Sequence, residues 1–175
     1  MICNILVVLA VIIIALVIVV SMQANDFCYT RSLVITAPVA KVFAQVNDFH
    51  NWAAWSPWAK LDPDAKNTFD GPTAGTGAIF KWSGNNNVGE GTNTIIESSP
   101  GELIRIKLEF LKPFKATHTA EFKFKTEGQQ TIVTWSMFGK NNFMGKAMGL
   151  FMNCDKMIGG QFDKGLASLK EVSEL

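Results

Sequence analysis

His118 is the side chain whose type and setting come nearest to chemistry. It stands in an alternating stretch, residues 115–125, where Ala116, His118, Ala120, Phe122 and Phe124 share one face. Lys115, Thr117, Thr119, Glu121, Lys123 and Lys125 share the other. The small Ala116 and Ala120 leave space around the imidazole. Such a ring suits a general base or a hydrogen-bonding group for a ligand, and equally a core histidine tied to a backbone carbonyl. Burial would lower its pKa and keep it neutral near pH 7. Glu90, on the same side as Val88 of a weakly alternating stretch, would complete a proton-transfer pair if the two met. Trp52, Trp55 and Trp58 fall three apart, so on a helix they form one patch. That patch is an aromatic wall of a pocket or a packing plug joining short helices to a sheet.

Other chemistries find little support. Cys3, Cys28 and Cys154 show no CxxC spacing, and neither His50 nor His118 lies near a cysteine in sequence, so no metal site is expected. Cys28 and Cys154 read as buried free thiols, with pairing possible if the first strand packs near the last helix. No Ser-His-Asp or Cys-His arrangement stands out, and no catalytic residue is assigned. The glycine- and asparagine-rich residues 71–77 and 84–91 lack the strand–loop–helix setting of a phosphate site and read as hairpin turns. With a formal net charge of +1 and scattered basic residues, the chain shows no footprint for nucleic acid.

The elements that must position these side chains follow from periodicity. Residues 142–171 read as one long helix. Phe151, Cys154, Ile158, Phe162, Leu166 and Leu169 recur at steps of three and four on one face. Met144, Met148, Met152 and Met157 crowd its first half, and Gly145, Gly149, Gly159, Gly160 and Gly165 punctuate it. Glycine and methionine together suit a helix over a pocket, or a loosely composed core helix. A strand over residues 27–36 places Phe27, Tyr29, Leu33 and Ile35 on one side. A short helix, 39–46, follows Pro38, which fits its first turn. Residues 47–60 form a second short helix or structured turn. Further strands are expected at 78–83, 88–98, 103–110, 115–125 and 130–138, with a short one near 66–69. An antiparallel sheet of about six to seven strands wrapped on a C-terminal helix is an α+β architecture.

Residues 2–20 carry no charged side chain and match the ~20 residues needed to cross a bilayer. The segment before them has no Lys or Arg, and Met22 makes a poor cleavage position, so residues 1–24 read as an uncleaved single-pass anchor. The side of the globular domain, residues 27–175, is not specified: Asp26 and Arg31 nearly cancel.

Ser32-Leu33-Val34-Ile35-Thr36-Ala37-Pro38 running into Lys41-Val42-Phe43, then Asn47-Asp48-Phe49-His50-Asn51-Trp52 and Trp55-Ser56-Pro57-Trp58, resemble the SRPBCC superfamily, also called START-like or Bet v 1-like. The Gly75-Thr76-Gly77 turn and the closing helix complete a likeness to its polyketide cyclase/dehydrase-type members. The resemblance covers residues 27 to about 172 and implies the helix-grip fold, with a cavity between sheet and last helix for an apolar small molecule or lipid. The family has no universal catalytic motif and no cofactor is expected. The side chains expected to line the cavity are Trp52, Trp55, Phe80, Trp82, Phe110, His118, Phe122, Trp135, Met148, Phe151, Ile158 and Phe162, with Trp82 and Trp135 leaning to the core. A membrane-anchored binding domain is the leading function. A cyclase- or hydrolase-type enzyme using His118 and a protein-interaction module are the alternatives.

Overall fold

A computed structural model describes residues 2–175. Met1, counted with the anchor, lies outside the described residues, as does the side chain of Cys3. Helix α1, Ile2–Ser21, is a largely apolar helix followed by strand β1, Asp26–Ile35. Helix α2, Val39–Asn47, and the one-turn helix α3, Trp52–Trp55, come next, flanked by 3-10 turns at Phe49–Asn51 and Pro57–Lys60. Strands β2 (Lys66–Asp70), β3 (Ile79–Ser83), β4 (Glu90–Ser99), β5 (Leu103–Lys112), β6 (Ala116–Glu127) and β7 (Gln130–Lys140) then run as a meander. Helices α4, Phe143–Phe151, and α5, Cys154–Glu174, close the chain.

The seven strands form one sheet in the order β1-β7-β6-β5-β4-β3-β2, each antiparallel to its neighbours. Hairpins explain the run from β2 to β7; only β1 pairs with a strand distant in sequence. Alternation decides the faces. Leu33 and Ile35 of β1, Ile104 and Ile106 of β5, Phe122 and Phe124 of β6, and Val133 and Trp135 of β7 turn inward onto the core. The outward face is polar. Glu97, Arg105 and Glu121 stand opposite one another across β4, β5 and β6, with Arg105 donating to both carboxylates. Burial works against the Glu121 carboxylate, but Arg105 and Lys123 outweigh it and hold its pKa below the usual range. Thr30 and Ser136 extend that row by a hydroxyl pair at 3.0 Å.

The expected single helix over residues 142–171 is two. Met152 takes extended backbone (φ −130°, ψ 139°), and the Asn153 side chain accepts from the Lys156 amide at 2.9 Å, starting a new helix. An asparagine placed to cap stops one helix and begins the next. Asn142 does the same for α4, accepting from the Gly145 amide at 2.8 Å. Pro38, expected in the first turn of α2, stands just before it as the capping residue. The break splits the expected apolar face. Phe162, Leu166 and Leu169 of α5 are buried against the sheet, with Ile158 partly buried beside them. Phe151 ends α4 instead and is 73% exposed. Burying a ring such as Phe162 stabilises by ~1.5–3 kcal/mol. Phe151 makes no such contribution.

Candidate functional site

The concave face of the sheet carries two sets of rings. The deep set joins the short helices to α5. Trp55 meets Phe122 at 6.1 Å and Trp135 at 5.8 Å, Phe122 stacks on Trp135 at 4.7 Å, and Trp135 stacks on Phe162 at 4.3 Å with 11° between planes. Trp52 packs edge-on against Phe49 and Phe122, and Trp58 edge-on against Trp135 and Phe162. The Trp52 and Trp55 indole N–H groups donate to the carbonyls of Val46 and Gln45. These rings fill space against one another, as a plug between helices and sheet does.

The second set lies toward the other end of the strands and is only partly buried. Its order is read across the sheet. Phe69, Phe80, Asn93, Leu108 and His118 stand in one row through β2, β3, β4, β5 and β6. Phe69 stacks on Phe80 at 5.3 Å, Phe80 on Trp82 at 6.0 Å, and Trp82 meets Phe110 edge-on at 6.1 Å. Phe110 and Phe27 approach His118 at 6.0 and 4.8 Å, and Phe27 stacks on Tyr29 at 5.1 Å. The result is an aromatic ribbon. Phe49 links it to the deep set through Phe80 at 5.8 Å.

His118 is the polar centre of this ribbon. Its Nδ1 is buried and has no hydrogen-bond partner. Gly139 on β7 makes room for it, since a Cβ there would sit 2.7 Å from Nδ1. Burial pushes the His118 pKa below the ordinary value of 6.5, with a Thr117 backbone contact offsetting part of the shift. The ring is neutral at pH 7. Asn93, also buried, shares its row. Glu90 does not serve as a partner: it pairs with Lys112 at 2.7 Å, at a register irregularity that begins β4.

The helix break leaves an open groove of ≈ 480 Å³ lined by Tyr29 and residues 149–155. Burial, with Cys154 and Asp155 beside it, pushes the Tyr29 hydroxyl pKa up to about 12. Met148 and Phe151 belong to α4 and are exposed, while Ile158 and Phe162 lie on α5. A smaller depression of ≈ 200 Å³ lies between Phe49, His50, Phe69 and the β2–β3 turn. The cysteines correct an expectation: Cys28 is exposed, Cys154 half-buried, and both are free. Cys28 and Tyr29 are successive residues of one strand and so point to opposite faces, and Cys154 sits beside Tyr29.

Sequence reasoning missed Arg31. It lies on the inward side of β1, and its guanidinium donates to both carboxylate oxygens of Asp155, at 3.2 and 3.0 Å, and pairs with Asp163 at 3.4 Å. That contact holds the Asp155 carboxyl below the usual range. A charge on the inward side of a strand was the available signal: Arg31 interrupts the alternation of Phe27, Tyr29, Leu33 and Ile35. Among the described residues, no group of three His, Cys, Asp or Glu side chains is placed to hold a metal ion.

Solved structures share this architecture. A solution structure from Thermobifida fusca is 22% identical, with TM-score 0.63, covering 83% of this chain and 92% of that one. The Aha1 dimer from Colwellia psychrerythraea is 16% identical, with TM-score 0.55, covering 85% and 97%. BexL, a di-domain aromatase/cyclase of the BE-7585A biosynthetic pathway, is 16% identical, with TM-score 0.62, covering 91% of this chain and 53% of its own. At such identities these likenesses speak for the fold. No curated protein matches. The profile of the polyketide cyclase / dehydrase and lipid transport family matches residues 26–174, all but the last residue of the chain beyond α1 and its short link, and the protein belongs to that family.

Proposed function

We propose that this is a membrane-anchored domain that binds an apolar small molecule or lipid on the concave face, at the aromatic ribbon around His118. The observation that carries the reading is the buried, unpartnered Nδ1 of His118 between Phe27 and Phe110. A buried polar atom without a partner costs about 1–3 kcal/mol, which a ligand hydroxyl or carbonyl group would relieve. Phe80, Trp82 and Phe110 supply the apolar surface, and Asn93 a second polar group in the same row. The deep rings Trp52, Trp55, Phe122, Trp135 and Phe162 form the floor that holds the ribbon in place. Phe151 borders the open groove, Met148 lies one turn earlier on α4, and Ile158 lies at the start of the α5 contact with the sheet. Binding without turnover fits a histidine whose one carboxylate candidate from the sequence, Glu90, is engaged by Lys112.

The test is paired. Small molecules extracted from the purified full chain are identified by mass spectrometry, and affinity and turnover are then measured for wild type and His118→Gln on that molecule. A ligand-binding role predicts affinity weakened by ~0.5–1.5 kcal/mol and no turnover in either protein. A general-base role would leave binding intact and cut turnover ~10²–10⁴-fold.

A further inference from the structure

We propose that α4 and the β5–β6 loop form a second membrane contact, a patch that lies in the lipid surface beside the exit of α1. The inference rests on the reading of α1 as a membrane span. Helix α1 is long and apolar enough for one. Only Met22, Gln23, Ala24 and Asn25 separate it from β1, a reach of about 14 Å at full extension. The start of β1 therefore lies at the bilayer. Antiparallel pairing carries that edge across the sheet: Asp26 stands opposite Lys140 at the end of β7, and Ala116 at the start of β6 opposite Phe110 near the end of β5.

Helix α4 is bound to this edge. Asn141 donates from its amide to the Asn25 carbonyl at 2.7 Å and from Nδ2 to the Ala24 carbonyl at 3.3 Å. Lys146 Nζ reaches the Ser21 carbonyl at 3.2 Å, at the last turn of α1. Asn142 Nδ2 reaches the Lys115 carbonyl in the β5–β6 loop at 3.5 Å. The end of α1 is covered in turn, and Val20 is 2% exposed.

Yet no residue of α4 is buried. Its sequence, FMGKAMGLF, is apolar on nearly every side, and a helix of that kind is stable inside a core or against lipid. Phe143, Met144, Leu150 and Phe151 are exposed, and Phe114 at the loop adds a further exposed ring. Lys115 and Lys140, both exposed, flank the patch as cations flank an interfacial helix beside lipid phosphates. Apolar rings between lysines, continuous with a membrane span, commit the patch to one occupant: the surface of the bilayer that holds α1. The groove of Tyr29 and residues 149–155 opens at the same place, so an apolar ligand reaches the concave face from lipid.

The test uses the full chain in phosphatidylcholine–phosphatidylglycerol vesicles. The photo-crosslinker p-benzoylphenylalanine replaces Phe114, Phe143 or Phe151, with Ile12 in α1 and the exposed Ile96 toward the far end of the sheet as references. These positions are exposed, and circular dichroism verifies folding. Illumination should give lipid adducts at 12, 114, 143 and 151 and none above background at 96. Adducts at 12 alone, or crosslinks from 114, 143 and 151 to a second copy of the chain, would overturn the proposal and leave the anchor standing. The absence of adducts at 12 would overturn the anchor and this contact together.

Discussion

His118 carries an imidazole into apolar surroundings, and acid should reveal the cost. Its folded pKa lies below the unfolded value of 6.5. Above that value both states are neutral. As pH falls through the unfolded pKa toward the lower folded one, the unfolded chain takes up the proton first and stability is lost. The urea midpoint of the wild type should therefore fall as the pH drops through the unfolded value of 6.5, and fall less in His118→Gln. Equal slopes in the two proteins would contradict the burial of this ring. Two neighbouring glycines make a second contrast. Gly159 lies against the Arg31 guanidinium, and a Cβ there would collide with it, whereas nothing stands within 4 Å of one at Gly160. Alanine in a helix ordinarily gains up to ~1 kcal/mol over glycine. Gly160→Ala should show that gain in thermal unfolding. Gly159→Ala should forfeit that gain, because the Arg31 guanidinium must swing away from Asp155 to admit the methyl group.

At the scale of elements, the break between α4 and α5 controls how much of the concave face is open. Asn153→Ala removes the cap of α5 and should cost about 0.5–2 kcal/mol, with faster amide exchange in residues 154–158. Unchanged exchange there would mean that the Arg31–Asp155 contact alone starts the helix. The strands were legible in the sequence because alternation is a local signal, and β5 and β6 show it most cleanly. The α5 face from Phe162 to Leu169 was legible for the same reason. The break was not. Residues 142–171 keep helical spacing of apolar groups throughout, and only the capping role of Asn153 interrupts it. The ribbon was half legible. Phe80, Trp82, Phe110 and His118 face inward by alternation, but register across strands decides that they meet one another. Arg31 was missed because its partners Asp155 and Asp163 lie more than a hundred residues away.

The whole molecule is a curved sheet tied at one end to an apolar helix. Full-length protein should remain in the membrane fraction after carbonate extraction, while a chain beginning at Asn25 should be soluble and folded. Soluble material recovered from expression of the full-length chain with Asn25 as its first residue would show that residues 1–24 had been removed as a signal. The pairing of β1 with β7 sets an order on synthesis. Thr30 bonds to Ser136, 106 residues later. At ~5–20 residues per second, the first strand waits on the order of 5–20 s for β7, the strand it pairs with, to be translated. With α1 seated in a bilayer, as proposed, it is held near that surface throughout the interval by a helix already made. The edge that would otherwise drift toward other nascent chains is tethered in place, and the closing strand arrives at a fixed address.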